Sequence, residues 1–460
     1  MKRIHFVGIG GIGMSGLAEV VRARGFEVSG SDTAESDNTR LLCVRGISVA
    51  IGHAASHVDG ADLVVYSSAI NPETNPETLE ARRRGIPLVR RAELLAHVTR
   101  LGKSLAIAGT HGKTTTTSLC GRVLIEAGFD PTVIVGGRLR DFGGSNARVG
   151  AGQWFVVEAD EYDRSFLQLT PTIAVITNIE AEHLDIYGSF DAVEHAFFEF
   201  AQRVSLLGAL IICGDDPGCM RLAARVPHRV VTYGFGQGCM VRATDLRYTD
   251  TGVVATVLWH GNTLGPLTMH IPGAHNVANA LAAVAVGLEL DVPYATIHQA
   301  LKTFRGVIRR FQILGQYRGA TVVDDYAHHP TEVRATLRTA RERFPGRRII
   351  VVFQPHTYTR TRDFADAFAD ELAQADLAIV TDVYAAREAP LDGISGETIL
   401  VRLQHRHSRA FFAPTRADVC RLLDQVLRPG DVLITMGAGD IVRLAHDLIE
   451  QQAADTAGSR

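Results

Sequence analysis

Residues 108–117 read Ala-Gly-Thr-His-Gly-Lys-Thr-Thr-Thr-Thr, between an apolar run (Ser104–Ala108) and a helical pattern with Leu119 and Val123 four apart. A glycine turn between strand and helix, closed by Lys-Thr, has the makeup of a triphosphate cradle. Gly109 and Gly112 let backbone N–H groups approach phosphate oxygens, with Thr110, His111 and Thr115 completing the loop, and the helix N-terminus adds a favourable dipole. In such a loop Lys113 reaches the terminal phosphates and the Thr114 hydroxyl sits on magnesium. The eight-residue P-loop pattern wants a glycine at 107, where this chain has Ile107. A Gly-Thr-rich turn with no ligand is the alternative reading.

Two acidic runs follow apolar strands. Glu158-Ala159-Asp160-Glu161 closes the run Trp154–Val157, and Thr177 to Asp185, which holds Asn178, Glu180, Glu182 and His183, closes Ile173–Ile176. Carboxylates this dense need solvent or cations, and magnesium takes oxygen ligands with an occasional nitrogen. Either run alone reads as a solvated loop; both at strand ends beside a phosphate loop read as a metal site. Asn276 and Asn279 lie three apart on a helix beginning near Ala274 and so share a face, suited to a purine edge or, for Asn276, to capping. Further on, Asp324-Asp325-Tyr326-Ala327-His328-His329 leads into Pro330, and Gln354 to Arg362 carries His356, Arg360 and Arg362. Histidines and arginines at strand ends suit a carboxylate.

A second glycine cluster, Gly8-Ile9-Gly10-Gly11-Ile12-Gly13, follows the strand Ile4–Val7, and Asp32 lies 19 residues past Gly13 at the end of the next strand. Taken locally this is a dinucleotide fingerprint, which leaves an NAD(P) oxidoreductase open. A glycine turn at a helix N-terminus cradles any diphosphate, that of a nucleotide sugar included.

Strands alternating with helices imply an α/β protein built on parallel sheets. The chain of 460 residues is too long for one core. It divides into 1–100, with a Rossmann-like pattern; 101–307, a central P-loop ATPase-type parallel sheet; and 308–460, a second Rossmann-like α/β domain. Residues 229–272, with shorter alternating runs, read as an antiparallel excursion. A net charge of −3 gives no reason to expect nucleic acid or an anionic membrane, and no charge-free apolar stretch is long enough to span a bilayer. The six cysteines form no Cys-x-x-Cys pair, and scattered thiols fit a reducing compartment. No secretory signal is evident, so the cytoplasm is the expected location.

In their order along the chain these motifs resemble the Mur ligase family of peptidoglycan synthesis. The residues that carry the resemblance are His5–Ser15, Gly109–Thr114, Glu158–Glu161, Asn178–Asp185, Asp324–Glu332 and Gln354–Arg362. Gly-Thr-x-Gly-Lys-Thr is also the family's form of the phosphate loop, which accounts for Ile107. The resemblance implies ATP-dependent joining of an amino acid, here L-alanine, to the lactyl carboxylate of UDP-N-acetylmuramate through an acyl phosphate. A recycling ligase that takes a preformed tripeptide is the nearest rival. Carried over residue by residue, Thr114, Glu158 and His183 match metal ligands; Lys113, Glu158, His183 and His328 match catalytic positions. Asn178, Asn276, Asn279, Arg310 and Asp325 join Gly109–Thr115 on ATP. Gly10, Gly11, Ile12, Gly13, Met14, Ser15, Asp32, Ser68 and Arg91 match the UDP-sugar site, and Tyr326, His328 and Arg360 the amino-acid site. Tyr162 stands where a serine is expected, Ala327 where many members have glycine, and Thr357 where some have arginine. The family pattern allows a monomer or a homodimer.

Overall fold

The computed structural model describes residues 2–458 apart from Arg140, Asp141, Asp250 and Arg387; the side chains of Asp185 and of residues 455–458 are outside that description. Branched and aromatic side chains fill the apolar runs, and each run becomes a strand with its residues buried on both faces, as parallel strands covered by helices require. The first sheet comprises β1 (Arg3–Val7), β2 (Glu27–Asp32), β3 (Ser48–Ile51), β4 (Leu63–Tyr66) and β5 (Leu88–Arg90). Its order is β3-β2-β1-β4-β5, every pairing parallel. The chain reverses direction across the sheet between β1 and β4, where a doubly wound fold opens a crevice at the strands' carboxyl ends. The glycine cluster after β1 and Ser67-Ser68 after β4 both lie there.

The second sheet contains β6 (Lys103–Ala108), β7 (Thr132–Ile134), β8 (Ala147–Arg148), β9 (Trp154–Glu158), β10 (Ile173–Ile176), β11 (Ala209–Cys213), β12 (Val230–Gly234), β13 (Val241–Thr249), β14 (Gly252–Trp259) and β15 (Asn262–Met269). Its order is β15-β14-β13-β12-β11-β10-β6-β9-β7-β8. The expected parallel sheet is in fact mixed. From β12 to β7 the pairings are parallel, but β8 runs antiparallel to β7, and the two-residue turn His260–Gly261 makes β14 and β15 an antiparallel hairpin. Strand β12 itself belongs to the parallel part, so the antiparallel excursion is shorter than 229–272 suggests. Strand β6 sits between β10 and β9, so the loops after these three strands emerge side by side.

The third sheet holds β16 (Gln312–Tyr317), β17 (Ala320–Asp325), β18 (Ile349–Phe353), β19 (Leu377–Val380), β20 (Ala410–Phe412) and β21 (Val432–Met436), in the order β16-β17-β21-β18-β19-β20. Only β16 is antiparallel among the described pairings. The chain forms two compact units. One comprises residues 1–246, 254–269 and 276–307; the other 308–460 with 247–253 and 270–275. Among the described residues no helix is long and apolar enough to cross a membrane.

Candidate active site

In the first unit the loop after β6 is shaped by its neighbours. Gly109 has φ 132°, and a Cβ there would collide with the Thr177 hydroxyl at the end of β10, so only glycine serves. Asn178 pins the turn. Its carbonyl accepts from Thr110 N (3.1 Å) and its side-chain oxygen from His111 N (2.8 Å). Thr110 Oγ1 in turn accepts from Glu180 N (2.9 Å). Gly112, also left-handed at φ 82°, precedes the helix Lys113–Glu126 and packs against Asn279. Asn279 Oδ1 accepts from Thr116 Oγ1 (3.2 Å) and its nitrogen donates to Asn276 Oδ1 (3.4 Å). The paired amides, both inside the helix Ala274–Glu289, thus meet the start of the phosphate-loop helix.

Lys113 Nζ donates to Gly109 O (2.6 Å), to Thr110 O (3.1 Å) and to Glu161 Oε1 (2.7 Å). Burial opposes its positive charge, but Glu161, Asp160 and Glu158 outweigh burial and hold the ammonium above its ordinary pKa. Burial also drives Glu161 up, to about 8, with Asp160 and Glu182 pushing the same way against Lys113. One lysine therefore does not balance the carboxylates around it. Glu161 Oε2 is buried and accepts no hydrogen bond. Oxygen and nitrogen atoms of Glu161, Glu182 and His183 lie within 4.8 Å of one another. Beside them Glu158 Oε1 accepts from Thr114 Oγ1 (3.1 Å) and Oε2 from Gly136 N (2.7 Å). An over-acidic, oxygen-rich pocket with an unsatisfied carboxylate oxygen fits a divalent cation. The expected ligands fall in two groups, Thr114 with Glu158, and His183 with Glu161 and Glu182; Glu161 and Glu182 are additions from the third dimension. The side chain of Asp185 lies outside the described residues.

The N-terminal glycine loop is held from below. Gly8 N and Ile9 N both donate to Ser31 O (2.8 and 2.9 Å), and Gly10 N donates to Asp32 Oδ2 (2.8 Å). Asp32 is therefore engaged by the loop itself, with Oδ1 on Thr33 N (2.8 Å). The helix Ile12–Ala23 starts where the glycines end. Arg91 lies over it, its guanidinium 3.2 Å from where a Cβ of Gly13 would stand. Ser68 is exposed after β4. Met14 and Ser15 turn inward: Met14 is core, and Ser15 Oγ donates to Ile12 O (3.1 Å) and to Asn146 Oδ1 (3.3 Å).

In the second unit the loops after β17 and β18 bring the remaining candidates together. Asp325 is fixed by Phe311 N and Ala327 N (2.8 Å each), and burial pushes its pKa up to about 6. Arg310 stacks on Tyr326 (5.3 Å) and pairs with Glu332 (3.4 Å). His328 Nδ1 lies 3.0 Å from both Tyr326 O and Glu332 Oε2, and its ring meets His356 edge-on at 5.7 Å. Arg360 donates to His356 Nδ1 (3.2 Å). Burial, with His328 and Arg360, pushes His356 down to about 3, so it stays a neutral acceptor at neutral pH. Tyr384 stacks on His356 at 5.8 Å. Arg362 does not join the group: it is half exposed and pairs with its neighbour Asp363 (2.7 Å). Thr357 starts a helix at φ 67°, ψ 146°, a strained backbone for a β-branched residue. His356 stood in a noted run; Tyr384 had no signal in the sequence.

Three α/β sheets in succession, the second carrying a lysine phosphate loop and acidic strand ends, are the architecture of an ATP-dependent ligase. Residues 3–102 match the Mur ligase family catalytic domain, 107–287 the Mur ligase middle domain, and 309–439 the Mur ligase glutamate ligase domain. The chain belongs to the Mur ligase family. It is 49 % identical to the UDP-N-acetylmuramate–L-alanine ligase of Salinibacter ruber over 98 % of this chain and 95 % of that one. It is 50 % identical to the enzyme of the same name from Sorangium cellulosum over 96 % and 94 %. Among solved structures it is similar to UDP-N-acetylmuramate–alanine ligase MurC of Thermotoga maritima, with 31 % identity, a TM-score of 0.85, and 99 % and 100 % of the two chains covered.

Proposed function

We propose that this protein joins L-alanine to the lactyl carboxylate of UDP-N-acetylmuramate, with ATP converted to ADP and phosphate. The observation that carries the reading is Lys113, buried among more carboxylates than it can neutralise at the mouth of a phosphate loop. The whole-length likeness to enzymes named for this reaction supports the choice of substrates. Residues 1–100 take the UDP-sugar, 101–307 the ATP and 308–460 the amino acid.

A carboxylate is a poor electrophile until one of its oxygens leaves as phosphate. The lactyl oxygen attacks the γ-phosphorus and ADP departs; the amine of alanine then attacks the acyl carbon, expelling phosphate and releasing a proton. Lys113 and the N-terminus of its helix hold the transferred group, so the protein's share is positioning and charge neutralisation. Thr114 and Glu158, with His183, Glu161 and Glu182, would hold magnesium, which when bound shields phosphate oxygens from the carboxylates. Asn276 and Asn279 border the nucleotide. The helix start at Ile12 and Gly13, set by the glycine turn before it, cradles the diphosphate, with Asp32 shaping that loop and Arg91 and Ser68 flanking it. Tyr326, His328 and Arg360 face the amino acid. Phosphate release measured with ATP, UDP-N-acetylmuramate and single amino acids, with product mass, tests this. Turnover requires all three substrates and magnesium, and equal rates with a tripeptide and with L-alanine would overturn the choice of acceptor.

A further inference from the structure

The segment between β7 and β8 touches both glycine-loop sites of the first unit. Asn146, 3 % exposed, donates its amide to Ile12 O at the start of the helix Ile12–Ala23 and to Val135 O (3.3 Å). Its side-chain oxygen accepts from Ser15 Oγ (3.3 Å), and its backbone carbonyl from Val135 N (2.9 Å). The next residue along, Gly136, donates its N–H to Glu158. A Cβ on Gly136 would stand 2.7 Å from Glu158 Oε1 and one on Gly137 3.0 Å from Thr114 Cγ2, so this turn lies close against both side chains. Neighbouring Ser145 ties the same segment to Glu19 of that helix (3.2 and 3.3 Å), which also pairs with Arg45. Both donors of one buried side-chain amide are spent joining the diphosphate loop to the strand end that holds Glu158. A buried amide is costly to leave unsatisfied, so the two ends are obliged to move together.

We infer that Asn146 is a positioning residue that couples occupation of the Gly10–Ser15 loop to the placement of Glu158. The inference rests on the reaction proposed above. A UDP-sugar diphosphate at the helix N-terminus draws Ile12 and Ser15 toward it, Asn146 follows, and Val135–Gly136 sets the angle of Glu158. Only with the acceptor in place does the carboxylate take its working position, and linkage makes the effect reciprocal.

The test uses the full chain. UDP-N-acetylmuramate affinity is measured by calorimetry with and without a non-hydrolysable ATP analogue and magnesium, in wild type, Asn146→Ala and the near-isosteric Asn146→Asp. Wild type is expected to bind the UDP-sugar at least about fivefold tighter with the analogue present, a coupling of ordinary size. In both variants that ratio falls toward one while each ligand alone binds nearly as before. The half-saturating magnesium concentration rises and kcat falls, with KM for L-alanine unchanged. Ser15→Ala, which removes one bond at the far end, loses part of the coupling. An asparagine with a merely structural role would lower the melting temperature and leave the ratio and the magnesium dependence alone; that result, or a wild type without coupling, overturns the inference. A wild-type chain that binds no UDP-sugar would instead overturn the proposed reaction itself.

Discussion

Two glycine loops in the first unit share one plan and differ in charge. Each follows a central parallel strand, each opens onto a helix, and each is pinned by the end of a neighbouring strand, Ser31–Asp32 in one case and Thr177–Asn178 in the other. The first has one acid, Asp32, turned into its own backbone, and an arginine laid over the helix start. The second has a lysine buried among Glu158, Asp160 and Glu161. In the proposed reaction the shared plan serves phosphate, and the added charges separate holding from transfer. A pre-formed loop with an external arginine suits a diphosphate that stays still. A loop with opposed buried charges stores electrostatic imbalance that a nucleotide and a cation relieve, and such imbalance is where reacting charge is stabilised.

The largest expected effect separates the two loops outright. Lys113→Ala should cut kcat by about 10²–10³, as loss of a transition-state contact does, while UDP-sugar binding measured by calorimetry stays intact. Loss of both together would erase the division of labour. Next, His183→Ala should raise the magnesium needed for half-maximal rate by about tenfold, with excess metal partly restoring turnover; superimposable magnesium titrations would reduce His183 to a loop residue. Asp32→Ala should weaken UDP-sugar binding by about tenfold, the worth of one charged hydrogen bond, and leave ATP affinity unchanged. Wild type should show no NADH fluorescence change, and tight NADH binding would return the first loop to the dinucleotide class.

The smallest effect lies beneath the first loop. Glu77 is fully buried and receives Ser31 Oγ (2.6 Å), with His57 (2.8 Å), His5 and His53 (3.3 Å each) around it. Burial alone would raise its pKa, but hydrogen bonds from His5, Ser31 and His57 take it from 4.5 down to about 2. A depressed carboxyl contributes stability above its unfolded pKa, and that contribution fades as pH falls from about 4.5 toward about 2. Glu77→Gln should therefore be less stable at neutral pH, with a urea midpoint that changes less across that window than the wild type's.

What the sequence reveals depends on how local the device is. The phosphate loop is legible because strand, glycines, lysine and helix are contiguous, and the strands that end at Glu158, just before Thr177 and at Asp325 announce themselves as apolar runs. Strands β3, β5 and β20 are short and only partly buried, so no run marks them. Glu161 was visible as an acid but not as the partner of Lys113, because its role depends on β9 lying next to β6. Gly136, Asn146 and Tyr384 act only across long sequence distances, and nothing in their own neighbourhoods distinguishes them. Mixed topology escapes for the same reason: β8 has two residues, too few to show a period, and its antiparallel pairing is with β7.

His183 occupies a left-handed backbone, φ 56° and ψ 37°, at the start of the short helix Leu184–Tyr187. A side chain there costs about 1 kcal/mol that glycine would not. In the proposed site that cost falls on a metal ligand, so chemistry and backbone make opposite demands at this position. Attempts to harden the enzyme by relaxing its backbone should meet that conflict here first: His183→Gly would melt at a higher temperature and turn over more slowly.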